Sequence, residues 1–138
     1  PNAKLTLRNL RKAQERYTKT LLPLIPAKVT TVLDVGCGVG DIARTLVGRG
    51  YVVMALSPDR NHQKYFSDCP ANLSFIPISF EAFSSSERYD LILMSESQNY
   101  FDPDVGFEQC GRYLQPGGYL LVSGMFRREA TREFHDYH

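Results

Sequence analysis

The sequence contains no long apolar run. None of its hydrophobic segments approaches the length of a membrane span, so we expect no membrane-spanning helix. The first four residues do not lead into the apolar region of a signal peptide. Cysteine is scarce: Cys37, Cys69 and Cys110 are odd in number, widely separated and without metal-ligand spacing. We therefore expect reduced thiols, no metal site and a cytoplasmic protein.

The length of 138 residues suits one domain with one hydrophobic core. The net charge is only +1, but the first segment is strongly basic. A basic arm can bind nucleic acid or anionic lipid, although such a run is more often the solvated face of a helix, which we favour here. The basic residues of this segment are Lys4, Arg8, Arg11, Lys12, Arg16 and Lys19.

Helical periodicity occurs in several segments. An N-terminal helix within residues 1–26 is predicted from apolar positions spaced three and four apart, and Pro23 and Pro26 end it. A second helix is predicted over 41–47, a third beginning at Ser57 as a cap, and a fourth over 104–114. The predicted inner residues are Leu7, Leu10, Gln14, Tyr17, Leu21 and Leu24 in the first helix, and Val105, Phe107, Cys110 and Leu114 in the last.

Five short apolar runs alternate with these helices. They predict strands over 30–35, 51–56, 72–78, 89–94 and 119–123, with a turn over 115–118 before the last. Strands that alternate with helices indicate an α/β fold, in which a doubly wound, mainly parallel sheet carries helices on both faces. Ligands of such sheets bind beyond the carboxyl ends of the strands, where the polar residues of this sequence are concentrated.

The first strand runs into a glycine-rich loop, Asp34-Val35-Gly36-Cys37-Gly38-Val39-Gly40. Glycines are needed where a side chain would collide with a ligand or where φ is positive. The third glycine comes one residue too early for the dinucleotide fingerprint, which disfavours a nicotinamide-dependent oxidoreductase. The acidic entrance at Asp34 suits a cationic ligand better than a pyrophosphate.

The segment Val32 to Gly40 resembles the first motif of class I methyltransferases that depend on S-adenosyl-L-methionine (SAM). Tyr89-Asp90-Leu91-Ile92-Leu93 is similar to the fourth-strand motif of that family, and 114–120 resembles the turn into its fifth strand. The resemblance implies strand order 3-2-1-4-5, a SAM-binding core over 30–124 and a tail or helix over 125–138. The family usually has seven strands, so we expect its C-terminal hairpin to be missing. Either the sequence is a fragment of a longer chain, or a homo-oligomer or other partner covers the open sheet edge.

The resemblance also implies cofactor contacts. Asp34, Gly36 and Gly38 should line the methionine end of SAM, with Cys37 in the same loop, while Gly40 allows close helix packing. The position that usually carries a ribose-binding acid is occupied by Ser57 or Ala55, and Leu56-Ser57-Pro58 resembles the cyclopropane-fatty-acid-synthase-like branch. Ser57 is either a ligand contact or a plain helix cap. The remaining residues of the implied cofactor site are Leu56, Ser79, Phe80, Glu81 and Ser95, and Phe80 is either an adenine contact or core.

Polar residues follow the fourth strand. Glu96, Asn99 and Tyr100 are candidates to orient or deprotonate a methyl acceptor, and Glu96 alternatively caps the next turn. The resemblance implies methyl transfer from SAM to a small molecule, with S-adenosylhomocysteine as product. The motif of nucleic-acid amino methyltransferases is absent, which argues against a nucleic acid as the substrate. Two alternatives are a non-catalytic SAM-binding module and an RNA or protein methyltransferase that uses the basic helix. The three histidines are expected at the surface.

Overall fold

The computed structural model describes residues 6–124. Each helix begins at a residue whose side chain or backbone suits that position: Thr6 caps the first helix by accepting from the backbone N–H of Asn9, and Asp102 caps the last, which has proline at its first position. The helices are α1 Leu7–Leu21, α2 Asp41–Val47 and α3 Pro103–Tyr113, with short 3₁₀ helices at Leu22–Leu24, Arg60–Tyr65 and Gln98–Tyr100. The strands are β1 Thr31–Val35, β2 Val52–Leu56, β3 Leu73–Ile76, β4 Tyr89–Ser95 and β5 Leu114–Ser123.

The five strands form one parallel sheet in the order β3-β2-β1-β4-β5. This confirms the predicted fold class and strand order. The central strand β1 is almost entirely buried because it has neighbours on both sides and helices above and below. The order reverses beside β1, so the carboxyl ends of β1, β2 and β4 meet where a ligand cleft is expected.

The sheet separates two clusters of buried side chains. On one face, Leu21 at the end of α1 and Leu46 of α2 pack with alternate residues of β1, β2 and β4. On the other face, Cys110 and Tyr113 of α3 pack with the residues in between, such as Leu33. The strand period of two therefore distributes apolar residues to both faces, as the near-continuous apolar runs predicted.

The predicted inner face of α1 is correct only at its C-terminal end. Tyr17 and Leu21 reach the core, whereas Leu7 is 79% exposed and Leu10 is 49% exposed. Leu24, beyond the end of α1, is also exposed. Only the last turns of α1 lie against the sheet, so helical periodicity identified the face but not how far the contact extends.

The predicted inner face of α3 was wrong in part. Val105 and Phe107 are exposed, whereas Gly106 and Gln109 are buried with Cys110 and Tyr113. A Cβ at position 106 would collide with the ring of Phe101, so glycine allows the helix to approach closely. Counting only apolar residues missed this face because a glycine and a glutamine occupy it.

Two local predictions are also corrected. No α-helix begins at Ser57; the segment forms the 3₁₀ helix Arg60–Tyr65, and Asp59 rather than Ser57 caps it by accepting from the backbone N–H of Asn61. Residues 115–118, predicted as a turn, lie within β5, which has a register irregularity opposite β4 between Tyr89 and Leu91.

Among residues 6–124, no helix is both long enough and apolar enough to cross a bilayer.

Candidate active site

A cleft of about 590 Å³ opens at the carboxyl ends of β1, β2 and β4. This is the position that the sheet topology predicts for a ligand. Most of the predicted site residues, although far apart in the sequence, line this one cleft. They are Gly36, Gly38, Leu56, Ser57, Ser79, Phe80, Glu81, Ser95, Glu96 and Tyr100.

The glycine loop forms one wall of the cleft. The backbone N–H groups of Gly36 and Cys37 donate to the carbonyl of Leu56, over 2.9 and 3.0 Å, and so join the loop to the end of β2. Gly36, Gly38 and Gly40 all have positive φ. A Cβ at Gly36 would collide with the Cβ of Ser97, whereas one at Gly38 would meet no atom of the described residues within 4 Å. Gly38 therefore leaves open space beside its backbone.

Three predicted site residues lie behind the cleft wall. Asp34 is 1% exposed, and its Oδ2 atom has no hydrogen-bond partner among the described residues. Burial raises the pKa of this carboxyl to about 7, because the charged form loses its water. Cys37 is half-buried, and burial, followed by the charge of Asp34, raises the pKa of its thiol. Gly40 is the N-cap residue before α2, and a Cβ added there would lie 2.5 Å from the ring of Phe66.

The end of β2 carries a cluster of three polar side chains. Ser57 is buried, and its hydroxyl lies 2.8 Å from Nδ1 of His62. The other ring nitrogen, Nε2, lies 3.6 Å from Oδ2 of Asp59. Oδ1 of Asp59 accepts from the backbone and side-chain amides of Asn61, each over 2.9 Å. His62 was expected at the surface; the 3₁₀ turn brings it back to line the cleft.

The segment after β3 supplies an aromatic wall. Phe80 is 3% exposed and packs edge-on against Phe101, with 5.7 Å between the ring centroids. It is core, yet it also lines the cleft. The side chain of Gln109 in α3 donates to the carbonyls of Phe80 and Glu81, over 2.9 and 3.1 Å. Sequence reasoning missed Gln109, since no local pattern links it to residues about thirty positions earlier.

The end of β4 forms the opposite wall. Glu96 has φ of 60°, a conformation that few residues other than glycine adopt, and its backbone N–H donates to the carbonyl of Ser123 over 2.7 Å. The hydroxyl of Ser95 lies 2.9 Å from that of Tyr17, which ties α1 to the cleft. Tyr100 is 83% exposed and stands at the rim. Asn99, the third candidate, does not line the cleft.

A second cleft, of about 600 Å³, lies between α1 and α2. It is lined by cationic and anionic side chains together, including Arg11, Lys19, Arg49 and Asp41, and by none of the predicted site residues. Volume alone would not distinguish the two clefts. Position does, because only the cleft at the strand ends contains the glycine loop and the polar segment after β4.

A family model described as a methyltransferase domain matches residues 7–138. An uncharacterized methyltransferase of Mycobacterium tuberculosis is 29% identical over 98 residues, covering 70% of this chain and 40% of its own. A ubiquinone biosynthesis O-methyltransferase of Serratia proteamaculans is 28% identical over 104 residues, covering 70% of this chain and 43% of its own. The chain thus spans less than half the length of these curated relatives.

Solved structures share the fold. The N-methyltransferase NodS from Bradyrhizobium japonicum, in complex with S-adenosyl-L-homocysteine, superposes with a TM-score of 0.70 at 21% identity, over 88% of this chain and 66% of that one. The glycopeptide N-methyltransferase MtfA, complexed with SAM, gives 0.65 at 22% identity, over 86% and 55%. At these identities the likeness establishes the fold alone.

Proposed function

Because this chain belongs to the class I SAM-dependent methyltransferase family, we propose that it transfers a methyl group from SAM to a small-molecule acceptor by in-line displacement. The observation that carries the proposal is the cleft in which the glycine loop faces the polar end of β4. A small-molecule acceptor is supported by the relative named for ubiquinone biosynthesis. The single-domain organisation and the cytoplasmic location stay predictions.

SAM is the cofactor of this family, and the chemistry of the cleft fits it. The Oδ2 atom of Asp34, next to the loop, is buried and has no hydrogen-bond partner within residues 6–124, and a cation would stabilise it. Gly36 and Gly38 present backbone without side chains on the cleft wall. When bound, SAM supplies a methyl group on a positively charged sulfur, and its loss leaves the neutral S-adenosylhomocysteine. Proximity and alignment account for most of the catalysis such a displacement needs.

We assign the two ends of the cleft as follows. The methionine end lies at the glycine loop, where Gly36 and Gly38 allow close backbone approach and Ser95 offers a hydroxyl. Asp34 and Cys37 act from behind the loop, Asp34 through its charge. The adenine end lies at Phe80, whose ring gives an apolar wall. Leu56, Ser79 and Glu81 complete that end.

The acceptor side is assigned to Glu96 and Tyr100. The left-handed backbone of Glu96 costs on the order of 1 kcal/mol or more, and such conformations concentrate at functional sites. Glu96 lines the cleft with a carboxylate that can take up a proton, and Tyr100 places a hydroxyl at the rim of the cleft. Glu96 orients an acceptor hydroxyl or amine and takes its proton where the acceptor must lose one, while Tyr100 contacts the part of the acceptor nearest the solvent.

Calorimetric titration with SAM and S-adenosylhomocysteine tests the proposal, with NAD as a control ligand. Two glycine variants make a matched pair, because Gly38 and Gly50 both have positive φ and open space beside them, and only Gly38 lines the cleft. Gly38→Ala should weaken S-adenosylhomocysteine binding by about tenfold or more, equivalent to about 1.4 kcal/mol. Gly50→Ala should leave it unchanged. If the unaltered chain gives no heat and no thermal shift with either ligand, the proposal fails.

A screen of small-molecule acceptors then tests catalysis separately from binding. Glu96→Gln and Tyr100→Phe should lower methyl transfer while leaving affinity for S-adenosylhomocysteine within about twofold. Binding without any methyl transfer would instead support a non-catalytic SAM-binding module. Strongly salt-dependent RNA binding through α1 would favour the RNA methyltransferase alternative.

A further inference from the structure

The apolar face of α1 extends beyond the protein's own core. Tyr17 and Leu21 contact the buried cluster on the sheet, and the hydroxyl of Tyr17 meets that of Ser95 at the cleft. Leu10 and Leu7 lie about two and three turns before Tyr17, on the same face of the helix. Their side chains are 49% and 79% exposed. The N-terminal half of α1 therefore presents leucines to solvent where its C-terminal half packs on the sheet.

The rest of the helix surface is strongly basic. α1 contains five cationic side chains and a single acidic one, Glu15. Within residues 6–124, none of the five cations takes part in an ion pair, so their charge is available to an external anion. These cations are Arg8, Arg11, Lys12, Arg16 and Lys19.

The start of α1 adds to this positive charge. Its first turn contains no acidic residue to balance the positive end of the helix dipole, and it carries Arg8 instead. Arg11 lies one turn after Leu7, so a cation stands directly beside the exposed leucines. An exposed apolar face next to a basic one is typical of helices that lie in the interface of an anionic bilayer. A nucleic acid would use the positive charge but would leave the leucines in water.

We propose that the N-terminal half of α1 docks on a bilayer surface that contains anionic phospholipid. Leu7 and Leu10 insert at the boundary of the acyl chains, and the cations contact the phosphate headgroups. The basic segment alone favoured a fully solvated helix face; the structure changes this interpretation because it leaves both leucines outside the core. Two leucines bury little apolar surface, so the attachment is reversible and depends on the charge.

Vesicle sedimentation measures the interaction on the unaltered chain. The vesicles are phosphatidylcholine alone, or phosphatidylcholine with about 30% phosphatidylglycerol, which supplies the negative charge. The chain should bind the anionic vesicles at least about tenfold more tightly, since each cation near such a surface contributes about fivefold. Added salt should weaken this binding, because it screens the attraction between the helix and the headgroups.

A leucine variant tests the apolar part of the contact. The double variant Leu7→Gln with Leu10→Gln keeps good helix formers in α1, and it should lower the partition coefficient on anionic vesicles by about tenfold or more. Leu24→Gln is the matched control, because Leu24 is 62% exposed but lies beyond the end of α1. It should leave the partition coefficient within about twofold. Circular dichroism checks that both variants fold.

A charge variant tests the electrostatic part. Arg8→Gln with Lys12→Gln removes two cations from the exposed end of α1 and should lower the partition coefficient by about tenfold. Lys28→Gln with Arg112→Gln removes the same charge from exposed positions that precede β1 and β5. This control should leave the partition coefficient within about twofold, because charges outside the contact are screened.

A fluorescent probe tests insertion directly. The sequence contains no tryptophan, so one introduced by Leu10→Trp is a unique reporter. Its emission should shift to shorter wavelength with anionic vesicles and not with neutral ones, since the indole moves from water to the lipid interface. Leu24→Trp is the control and should show no shift.

The outcomes decide the proposal. Absence of binding to anionic vesicles overturns it, and so does equal binding to neutral vesicles or unchanged binding by the double leucine variant. Displacement of the chain by single-stranded RNA, with no shift in the emission of Leu10→Trp, would show that the basic face binds a polyanion and not a bilayer. Vesicle binding is measured without cofactor, so it neither depends on the proposed function nor fails with it.

Discussion

Replacing Asp34 with asparagine should change how the stability of the chain depends on pH. The carboxyl is fully buried at the end of β1, and burial raises its pKa from 3.8 to about 7. A carboxyl whose pKa is higher in the folded state than in the unfolded chain opposes folding once it ionises. Its penalty is absent below about pH 4, grows as the pH rises, and is complete above about pH 7.

The size of the effect follows from the shift. About three pH units correspond to about 4 kcal/mol, and about two of those units develop between pH 5 and pH 8. The free energy of unfolding should therefore fall by about 3 kcal/mol over this interval because of Asp34 alone. Asp34→Asn removes the titration, so that part of the fall should disappear. The amide keeps its own burial cost, about 1–3 kcal/mol, but this cost does not vary with pH.

Urea unfolding followed by circular dichroism at pH 5 and pH 8 measures the difference, with the exposed Asp68→Asn as control. Equal pH dependence of the free energy of unfolding in the unaltered chain and in Asp34→Asn would refute the reasoning.

The same variant links stability to binding: a cationic cofactor near Asp34 favours the ionised carboxylate, so SAM binding below about pH 7 should release a proton. Calorimetry in buffers of different ionisation enthalpy detects that proton, and Asp34→Asn should not release it.

Three further changes test the rest of the site. Gly36→Ala should lower the free energy of unfolding in urea by about 2 kcal/mol or more, because residue 36 has positive φ and its new Cβ would collide with Ser97. An unchanged free energy of unfolding would show that the loop rearranges to fit the methyl group. Gln109→Leu should lower the free energy of unfolding by about 2–3 kcal/mol and weaken S-adenosylhomocysteine binding severalfold in calorimetry, because buried backbone carbonyls at Phe80 and after it lose their donor. Unchanged affinity would show that these hydrogen bonds are not needed to shape the cleft. Hydrogen bonds from Thr31 and Thr30 lower the pKa of Asp90 to about 2, so its stabilisation is present above about pH 4 and is lost as the pH falls through 2. Asp90→Asn should accordingly cost about 1–2 kcal/mol near pH 7, after allowance for solvent screening, and progressively less as the pH falls through 2; a cost independent of pH in urea titrations would contradict the electrostatic account.

Much of the fold was predictable because local chemistry repeats along the chain. The apolar runs that became β1 and β4 are recognisable without their neighbours, since a strand buried on both faces needs apolar residues throughout. The loop from Gly36 to Gly40 was predictable for a similar reason, as positive φ at those positions demands glycine.

Other features depended on contacts between distant segments. The inner face of α3 could not be found from apolar spacing, because Gln109 is buried only through its bonds to carbonyls after β3. His62 looked like a surface histidine until the 3₁₀ turn brought it back to Ser57. Asp59 replaced Ser57 as the cap because the turn begins two residues later than a helix from Ser57 would require.

The sequence by itself determined the alternation of strands and helices and the glycine loop, because hydrophobic periodicity and backbone conformation are local properties, and its resemblance to a known family implied the strand order. Only the tertiary structure decided which polar groups meet. It buried Asp34 behind the loop, where Oδ2 has no hydrogen-bond partner in the described part of the chain, and it placed His62 between Ser57 and Asp59. The physical reason is that burial and hydrogen bonding depend on which distant segments come into contact. A local sequence pattern does not specify which residues will face each other across the cleft.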